Sequence, residues 1–167
     1  MNQTHQFHGF GPVIDSKSKI LILGSFPSVK SRKEGFFYMH PQNRFWKILG
    51  ALLSEDFVSA DIPEKTFLLN KYGIALYDVI ERCDIFGSED ASIANVETAD
   101  IQAMIASSQI EKIFLNGRKA YALFHRYHPE LESIVEVLPS SSSANASYSL
   151  EKLTLAWKIM FDKRLLP

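Results

Sequence analysis

The sequence has only one cysteine, Cys83, among its 167 residues. A single thiol forms no disulfide within the chain, and it builds neither a four-cysteine zinc site nor a cysteine-ligated iron–sulfur cluster. A paired-histidine motif that would supply other ligands is also lacking. We therefore expect no metal, no cofactor and a reducing intracellular compartment.

Long apolar runs and a strong net charge are lacking as well. No segment approaches the roughly 18 apolar residues of a membrane span, and the first residues lack the apolar core of a signal peptide. We therefore expect a cytoplasmic protein with no membrane partner. The formal net charge is -1 and the pI is near 6.5, so any binding of nucleic acid must depend on a local patch.

Apolar material, by contrast, is sufficient for one compact domain. The chain has 46% hydrophobic and 12% aromatic residues, and its length is that of a single ordinary domain. Charged residues are spread through the sequence rather than collected in a polar arm. We predict that residues 1–167 form one domain and that the protein is a monomer.

Apolar runs alternate with amphipathic segments along the chain. The run 19–24 ends in glycine and is typical of a strand buried on both faces of a parallel sheet. The same reasoning predicts strands at 74–77, 112–116 and 134–138, and helices at 43–53, 63–72, 100–107, 118–127 and 149–165. The fold class is therefore α/β, a three-layer sandwich with a mainly parallel four-stranded sheet flanked by helices. Ligands of such sheets bind at the carboxyl ends of the strands.

The first motif at this edge is Gly24-Ser25-Phe26-Pro27-Ser28. Glycine permits close approach of a ligand to the backbone, and proline stiffens the turn. An ordinary strand-exit turn is an equally simple interpretation. Ser25 is not expected to be a hydrolase nucleophile, because glycines two residues to either side of the serine are absent.

The second motif, residues 36–46, mixes aromatic side chains with polar and basic groups. Such a mixture suits a pocket that stacks on a flat base and holds it by hydrogen bonds. In the alternative interpretation Asn43 only caps a helix, and Phe45 and Trp46 lie in the core. His40 is interpreted as a structural or loop residue.

The third motif, residues 138–147, is rich in serine and precedes the last predicted helix. Hydroxyls and backbone amides near a helix N-terminus can approach phosphate oxygens closely. A flexible connector would have the same composition. The predicted position at the ligand edge of the sheet favours phosphate binding.

Together these three motifs resemble the uracil-DNA glycosylase superfamily over about residues 9–165. The chain looks most like the hypoxanthine (deoxyinosine) DNA glycosylases and next like the mismatch-specific uracil-DNA glycosylases. The resemblance implies an enzyme of base excision repair that hydrolyses the N-glycosidic bond of a flipped, deaminated base. Two alternatives stay open: uracil opposite guanine as the substrate, and a non-catalytic module that binds damaged or single-stranded DNA.

The first motif departs from the superfamily pattern. Where other members carry a carboxylate or an Asn that positions the attacking water, this chain has Ser25 and Phe26. The resemblance to the hypoxanthine branch implies that Asn43 positions the attacking water instead. A carboxamide does not deprotonate water, but it can hold water against a sugar with oxocarbenium character.

Asp78 follows a segment that resembles the strand whose terminal Asn reads uracil in the classical enzymes. An ionised Asp offers only acceptors, so it could accept a hydrogen bond from the ring N–H of hypoxanthine. The carbonyl of the base would then accept its hydrogen bond from a backbone amide near Ser25 or Phe26. Alternatively, Asp78 orients a loop.

The predicted site thus has one catalytic residue, Asn43, and no metal ligand. We predict that substrate is bound by Gly24, Ser25, Phe26, Pro27, Phe37, Tyr38 and Asp78, and that the base stacks on Phe26, Phe37 or Tyr38. DNA is predicted to contact Ser140, Ser141, Ser142, Ser143 and Asn145.

Overall fold

The computed structural model describes residues 3–86 and 93–161 of the chain. Over these residues the strands are β1 (Gln3–Phe7), β2 (Ile20–Gly24), β3 (Ile74–Asp78), β4 (Ile80–Phe86), β5 (Ile93–Thr98), β6 (Lys112–Asn116) and β7 (Val135–Leu138). The α-helices are α1 (Val29–Glu34), α2 (Phe45–Leu53), α3 (Ile62–Lys71), α4 (Ile101–Ala106), α5 (Arg118–Tyr127) and α6 (Leu150–Trp157). Short 3-10 helices follow α5 at Pro129–Ile134 and α6 at Lys158–Phe161.

Four parallel strands form the central sheet, in the order β3-β2-β6-β7. The apolar residues of β2, 20–23, are completely buried, as expected for a strand covered on both faces. The predicted α/β fold with a four-stranded parallel sheet flanked by helices is confirmed. In the register of β2 and β3, Gly24 lies opposite Asp78, so the carboxyl ends of both strands reach the same point of the sheet edge.

A second sheet was not predicted from the sequence. It has three antiparallel strands in the order β1-β4-β5, and β4 is separated from β3 by Val79 alone. The backbone N–H of His8, the residue after β1, donates to the carbonyl of Glu81. This small sheet therefore brings His8 to the end of β3.

Several element boundaries differ from the prediction. A short helix, α1, lies within residues 25–42, which carried no predicted element; the Ser28 hydroxyl caps it, and Gly35 ends it with φ 76°. The N-cap of α2 is Arg44 rather than Asn43. The α-helical part of the last segment ends at Trp157, and residues 162–165 of the predicted helix lie outside the described residues.

The core ties the loops of the sheet edge to the helices. Trp157 is completely buried, and its indole N–H donates to the carbonyl of Pro139 at 2.9 Å. The indole N–H of Trp46 donates to the carbonyl of Phe37 at 3.1 Å. The second and third motifs are thereby anchored to buried side chains. Within the described ranges no helix has the length and apolar character to cross a membrane.

Candidate active site

A cavity of about 150 Å³ lies at the carboxyl ends of the central strands. The loops after β2 and β7 and the segment before α2 meet around it. Most of the predicted site residues line this cavity: Gly24, Ser25, Phe26, Pro27, Phe37, Tyr38, Asn43, Asp78, Ser140, Ser141 and Ser142. Four further residues line it that were not among those predictions: Ser28, Ser31, His40 and Asn116.

Ser143 and Asn145 do not line the cavity. Ser143 is exposed to solvent. The side-chain amide of Asn145 donates to the carbonyl of Ser140 at 3.1 Å, so this residue shapes the serine-rich loop itself.

Asn43 is held at the cavity wall through its amide oxygen. Oδ1 accepts the backbone N–H of Phe45, the first residue of α2, at 2.9 Å and the hydroxyl of Ser141 at 2.8 Å. A backbone N–H only donates, so this contact fixes which end of the amide is oxygen. Both lone pairs of the oxygen are then in use. The amide nitrogen makes no hydrogen bond to another described residue, which leaves its two N–H donors available.

Ser141 links Asn43 to the end of β6. The residue is 1% exposed. Its backbone N–H donates to Oδ1 of Asn116 at 2.9 Å, and its hydroxyl accepts from Nδ2 of the same side chain at 2.9 Å. Ser141 lines the cavity, and its hydroxyl is engaged by Asn43 and Asn116. Contact of this residue with DNA stays a prediction.

Arg44 joins the second motif to the serine-rich loop. Its backbone N–H donates to the carbonyl of Ser141 at 3.0 Å. Its guanidinium donates to the carbonyls of Ser142 at 2.7 Å and Asn145 at 3.1 Å, and also to the carbonyl of Tyr148. The guanidinium is thus engaged by backbone oxygens, and it stabilises the loop rather than meeting a phosphate.

Asp78 is 3% exposed and lies against a buried histidine. Nε2 of His8 is 2.7 Å from Oδ2 of Asp78, and the imidazole packs beside Phe10 and Tyr77, with ring centroids 4.3 Å away in each case. Since Oδ2 is engaged by His8, Oδ1 is the carboxylate oxygen that faces Gly24.

Gly24 is required by the position of this carboxylate. A Cβ atom on Gly24 would lie 2.5 Å from Oδ1 of Asp78 and 3.1 Å from the hydroxyl of Tyr38. A Cβ contact of 2.5 Å does not occur between non-bonded atoms, so any larger residue at position 24 would displace the side chain of Asp78. The glycine therefore sets how closely the carboxylate of Asp78 approaches β2.

The three aromatic residues proposed to stack on the base differ in their surroundings. Phe37 is 2% exposed and packs among core rings. One face of Tyr38 is covered by Phe45, at a centroid distance of 4.0 Å and an angle of 19°. Phe26 is half-buried and carries the guanidinium of Arg32 5.2 Å from its centroid. Phe26 and Tyr38 are thus both more accessible than Phe37.

The hydroxyl of Tyr38 is buried beside the side-chain amide of Asn116, outside good hydrogen-bond geometry. Burial raises the pKa of this phenol, and the negative charge of Asp78 raises it further. Tyr38 also adopts a left-handed backbone conformation, with φ 54°, which is unfavourable for a bulky residue. A neutral donor is therefore held beside Asp78 at a strained position.

Sequence reasoning missed Asn116 and His8. Asn116 ends a predicted strand at the ligand edge, so its position was visible even though its role was not. His8 belongs to a segment without apolar periodicity, and no pattern connected it to Asp78. His40, interpreted as a loop residue, accepts the N–H of Gln42 at Nδ1 at 3.1 Å. Among the described residues no group of three His, Cys, Asp or Glu side chains has the arrangement of a metal site.

Comparisons with known proteins agree on one family. The model of the uracil DNA glycosylase superfamily matches residues 11–165. The hypoxanthine DNA glycosylase of Methanosarcina barkeri is 32% identical over 159 residues, which cover 93% of this chain and 98% of the relative. The hypoxanthine DNA glycosylase of Methanosarcina acetivorans is 33% identical over 157 residues, covering 92% and 96%.

A solved structure is similar over nearly the whole length. The solution NMR structure of a candidate uracil DNA glycosylase from Methanosarcina acetivorans superimposes with a TM-score of 0.77 at 30% identity. The similarity covers 95% of this chain and all of the other.

Proposed function

The chain belongs to the uracil DNA glycosylase superfamily, and on this premise we propose that it is a monofunctional DNA glycosylase for a deaminated base, with hypoxanthine as the preferred one. It takes a nucleotide that has been flipped out of the DNA, and it leaves an abasic site and a free base. The observation that supports this proposal best is the convergence of Asn43 with the loops after β2 and β7 around one cavity.

The hydrogen bonds of Asn43 indicate how it assists the reaction. Its oxygen is occupied by Ser141 and Phe45, so its amide nitrogen holds the water molecule by donating to one lone pair of the water oxygen. The other lone pair attacks C1′ of the deoxyribose. The N-glycosidic bond breaks, the base leaves with the bonding electrons, and the water releases a proton to solvent. Because the sugar has oxocarbenium character, positioning is sufficient and a strong base is unnecessary.

The available oxygen of Asp78 suits hypoxanthine. In this base the ring N1–H lies between one carbonyl and a C–H group, whereas the N3–H of uracil lies between two carbonyls. A carboxylate that accepts the ring N–H is therefore opposed by fewer neighbouring oxygens in hypoxanthine. The carbonyl of the base is assigned to a backbone amide near Ser25 or Phe26, both of which line the cavity.

One feature favours a function without catalysis. Ser25 and Phe26 occupy the places where the superfamily commonly has a carboxylate or an Asn, so a protein that recognises damaged or single-stranded DNA without cutting it is the second candidate. Uracil opposite guanine is the competing substrate within the glycosylase class.

An assay for alkali-labile sites distinguishes these functions. Duplex oligonucleotides that contain inosine, uracil opposite guanine or no lesion are incubated with the protein and run on a gel with and without alkali. We expect strand breaks at inosine, fewer at uracil, and breaks only after alkali. Retarded migration of the lesion duplexes without any alkali-labile site would instead identify a binding module.

Two further properties are part of the proposal. We propose a monomer, which sedimentation equilibrium of the purified chain tests directly. We also propose that the protein works in the cytoplasm, which cell fractionation tests.

A further inference from the structure

We propose that Asn116 is a positioning residue for base release, which acts on Asn43 through Ser141. This proposal rests on the proposed glycosylase function, because Asn43 is the group that Asn116 positions. It adds a residue from the end of β6 to a mechanism so far built from the loops after β2 and β7 and the segment before α2.

Asn116 contacts Ser141 at two points. Its Oδ1 accepts the backbone N–H of Ser141, and its Nδ2 donates to the Ser141 hydroxyl, both at 2.9 Å. Both polar groups of the Asn116 side chain are therefore engaged by one residue. Asn116 also lines the cavity, and its second N–H lies toward the buried hydroxyl of Tyr38. The two contacts with Ser141 are the ones that make it a support for that residue.

The contact at Nδ2 gives the hydrogen bonds a direction. A hydroxyl has one proton and two acceptor lone pairs. Because the Ser141 oxygen accepts from Asn116, its own proton points to Oδ1 of Asn43, at 2.8 Å. The order of donation is thus Asn116 to Ser141 to Asn43.

The direction matters for the orientation of Asn43. With the Ser141 proton in place, Oδ1 of Asn43 is held from two sides, by the hydroxyl and by the backbone N–H of Phe45. Its two N–H donors must then point away from both, and they are the donors assigned to the attacking water. Without the Ser141 proton only the contact with Phe45 remains, and the amide is free to tilt.

The fold places Asn116 where this contact is possible. Asn116 pairs with Leu138 in the register of β6 and β7, and the N–H of Gly117 donates to the carbonyl of Leu138 at 2.9 Å. Gly117 has φ 99°, a conformation that other residues avoid, and a Cβ there would lie 3.0 Å from Cβ of Ser140. The turn after β6 and the loop after β7 are therefore held in contact by this hydrogen bond and by close packing.

The variant Asn116→Asp tests the direction of the hydrogen bonds. It keeps the size of the side chain and an acceptor for the N–H of Ser141, but it replaces the donor at Nδ2 by an oxygen. The Ser141 proton then turns to the new carboxylate and leaves Asn43. We expect the single-turnover rate of base release, measured at saturating protein, to fall by up to about a hundredfold, as when a reacting group is misplaced.

A double-mutant cycle with Ser141→Ala tests whether Asn116 acts through Ser141. If it does, Ser141→Ala lowers the rate by a similar factor and the double variant is no slower than the slower single one. Independent, multiplicative losses would show that Asn116 acts on the DNA directly and would overturn the proposal. Ser18→Ala is the matched control, because Ser18 is also completely buried and hydrogen-bonded, but lies at the other end of β2.

A readout without activity separates this proposal from the proposed function. The side-chain amide of Asn43 is observed by ¹⁵N–¹H NMR of the free protein and assigned by its absence in Asn43→Ala. We expect the chemical shifts of this amide to change in Asn116→Asp and Ser141→Ala, and to be unchanged in Ser18→Ala. Shifts in a protein without glycosylase activity would refute the function alone, whereas an active protein with unchanged resonances and rates in Asn116→Asp would refute the positioning role.

Discussion

The amide of Asn43 is held by hydrogen bonds that use only its oxygen, so the proposed chemistry depends on its nitrogen. Asn43→Ala removes this donor, and we expect single-turnover base release to fall by about a hundredfold or more, as for one positioned polar group in a preorganised site. The N–H of Phe45 also loses its acceptor, which costs at most about 1 kcal/mol of stability. Base release at the normal rate in a folded variant would remove Asn43 from the mechanism.

Asp78 is expected to govern the choice of base. Asp78→Asn replaces one of the acceptor oxygens by a donor and keeps the size of the side chain, so it should raise uracil cleavage relative to inosine cleavage. General affinity for DNA should change little, because Asp78 is buried beside His8 and is proposed to meet the edge of the base. Rates on both lesions are measured at one salt concentration, since binding of DNA depends steeply on salt. An unchanged ratio would assign Asp78 to loop orientation.

Individual site residues were predictable only where a local motif carried them. Asn43 and Gly24 stand in compact strings of the sequence, and both line the cavity. Asn116 and His8 matter through partners 25 and 70 residues away. Contacts over such distances are created by the packing of strands, and no periodicity or spacing within either segment reveals them.

The serine-rich loop divides into a buried and an exposed part. The hydroxyl oxygens of Ser140 and Ser142 accept N–H groups within the loop, which leaves their protons available, and Ser143 is exposed. We expect Ser142→Ala and Ser143→Ala to weaken binding of every lesion about equally, because phosphate contacts carry no sequence information. Their effect is measured as Kd on inosine and uracil duplexes.

Ser141→Ala serves as the internal comparison for the loop. It should reduce the rate of base release with little effect on Kd, because its hydroxyl contacts Asn43. If the variants of Ser142 and Ser143 shift lesion preference instead, the loop reads the base and not the backbone.

The elements of the central sheet were predictable because their burial requires continuous apolar runs. The strands β2, β3 and β6 show such runs, and the observed strands lie within one residue of the predicted ones. The small sheet β1-β4-β5 was missed because β1 and β4 carry polar and charged residues among the apolar ones. These strands form because they hydrogen-bond to each other, and no pattern within either segment indicates it. The helix α1 has only six residues, too few for a helical periodicity to be visible.

Catalysis by the whole molecule is predicted to need no metal ion. The proposed mechanism uses an amide to position water, with no Lewis acid, and the described residues offer no cluster of metal-binding side chains. Base release from the inosine duplex should therefore persist at its full rate in excess EDTA. Loss of activity on chelation, restored by one particular divalent ion, would contradict the mechanism.

The link from Asn116 through Ser141 to Asn43 joins two carboxamides and a hydroxyl, none of which titrates between about pH 5 and 9. The orientation of the attacking water should therefore not depend on pH in this range, whereas it would in an enzyme that positions the water with a carboxylate. Asn116→Asp should make the rate of base release dependent on pH, because the new carboxyl has an O–H donor for Ser141 only when it is protonated. The rate of that variant relative to the unmodified protein is therefore expected to rise as the pH is lowered toward about 4.5, the acid side of the range for buried carboxyls. A ratio that stays constant with pH would mean that the proton of Ser141 does not depend on residue 116.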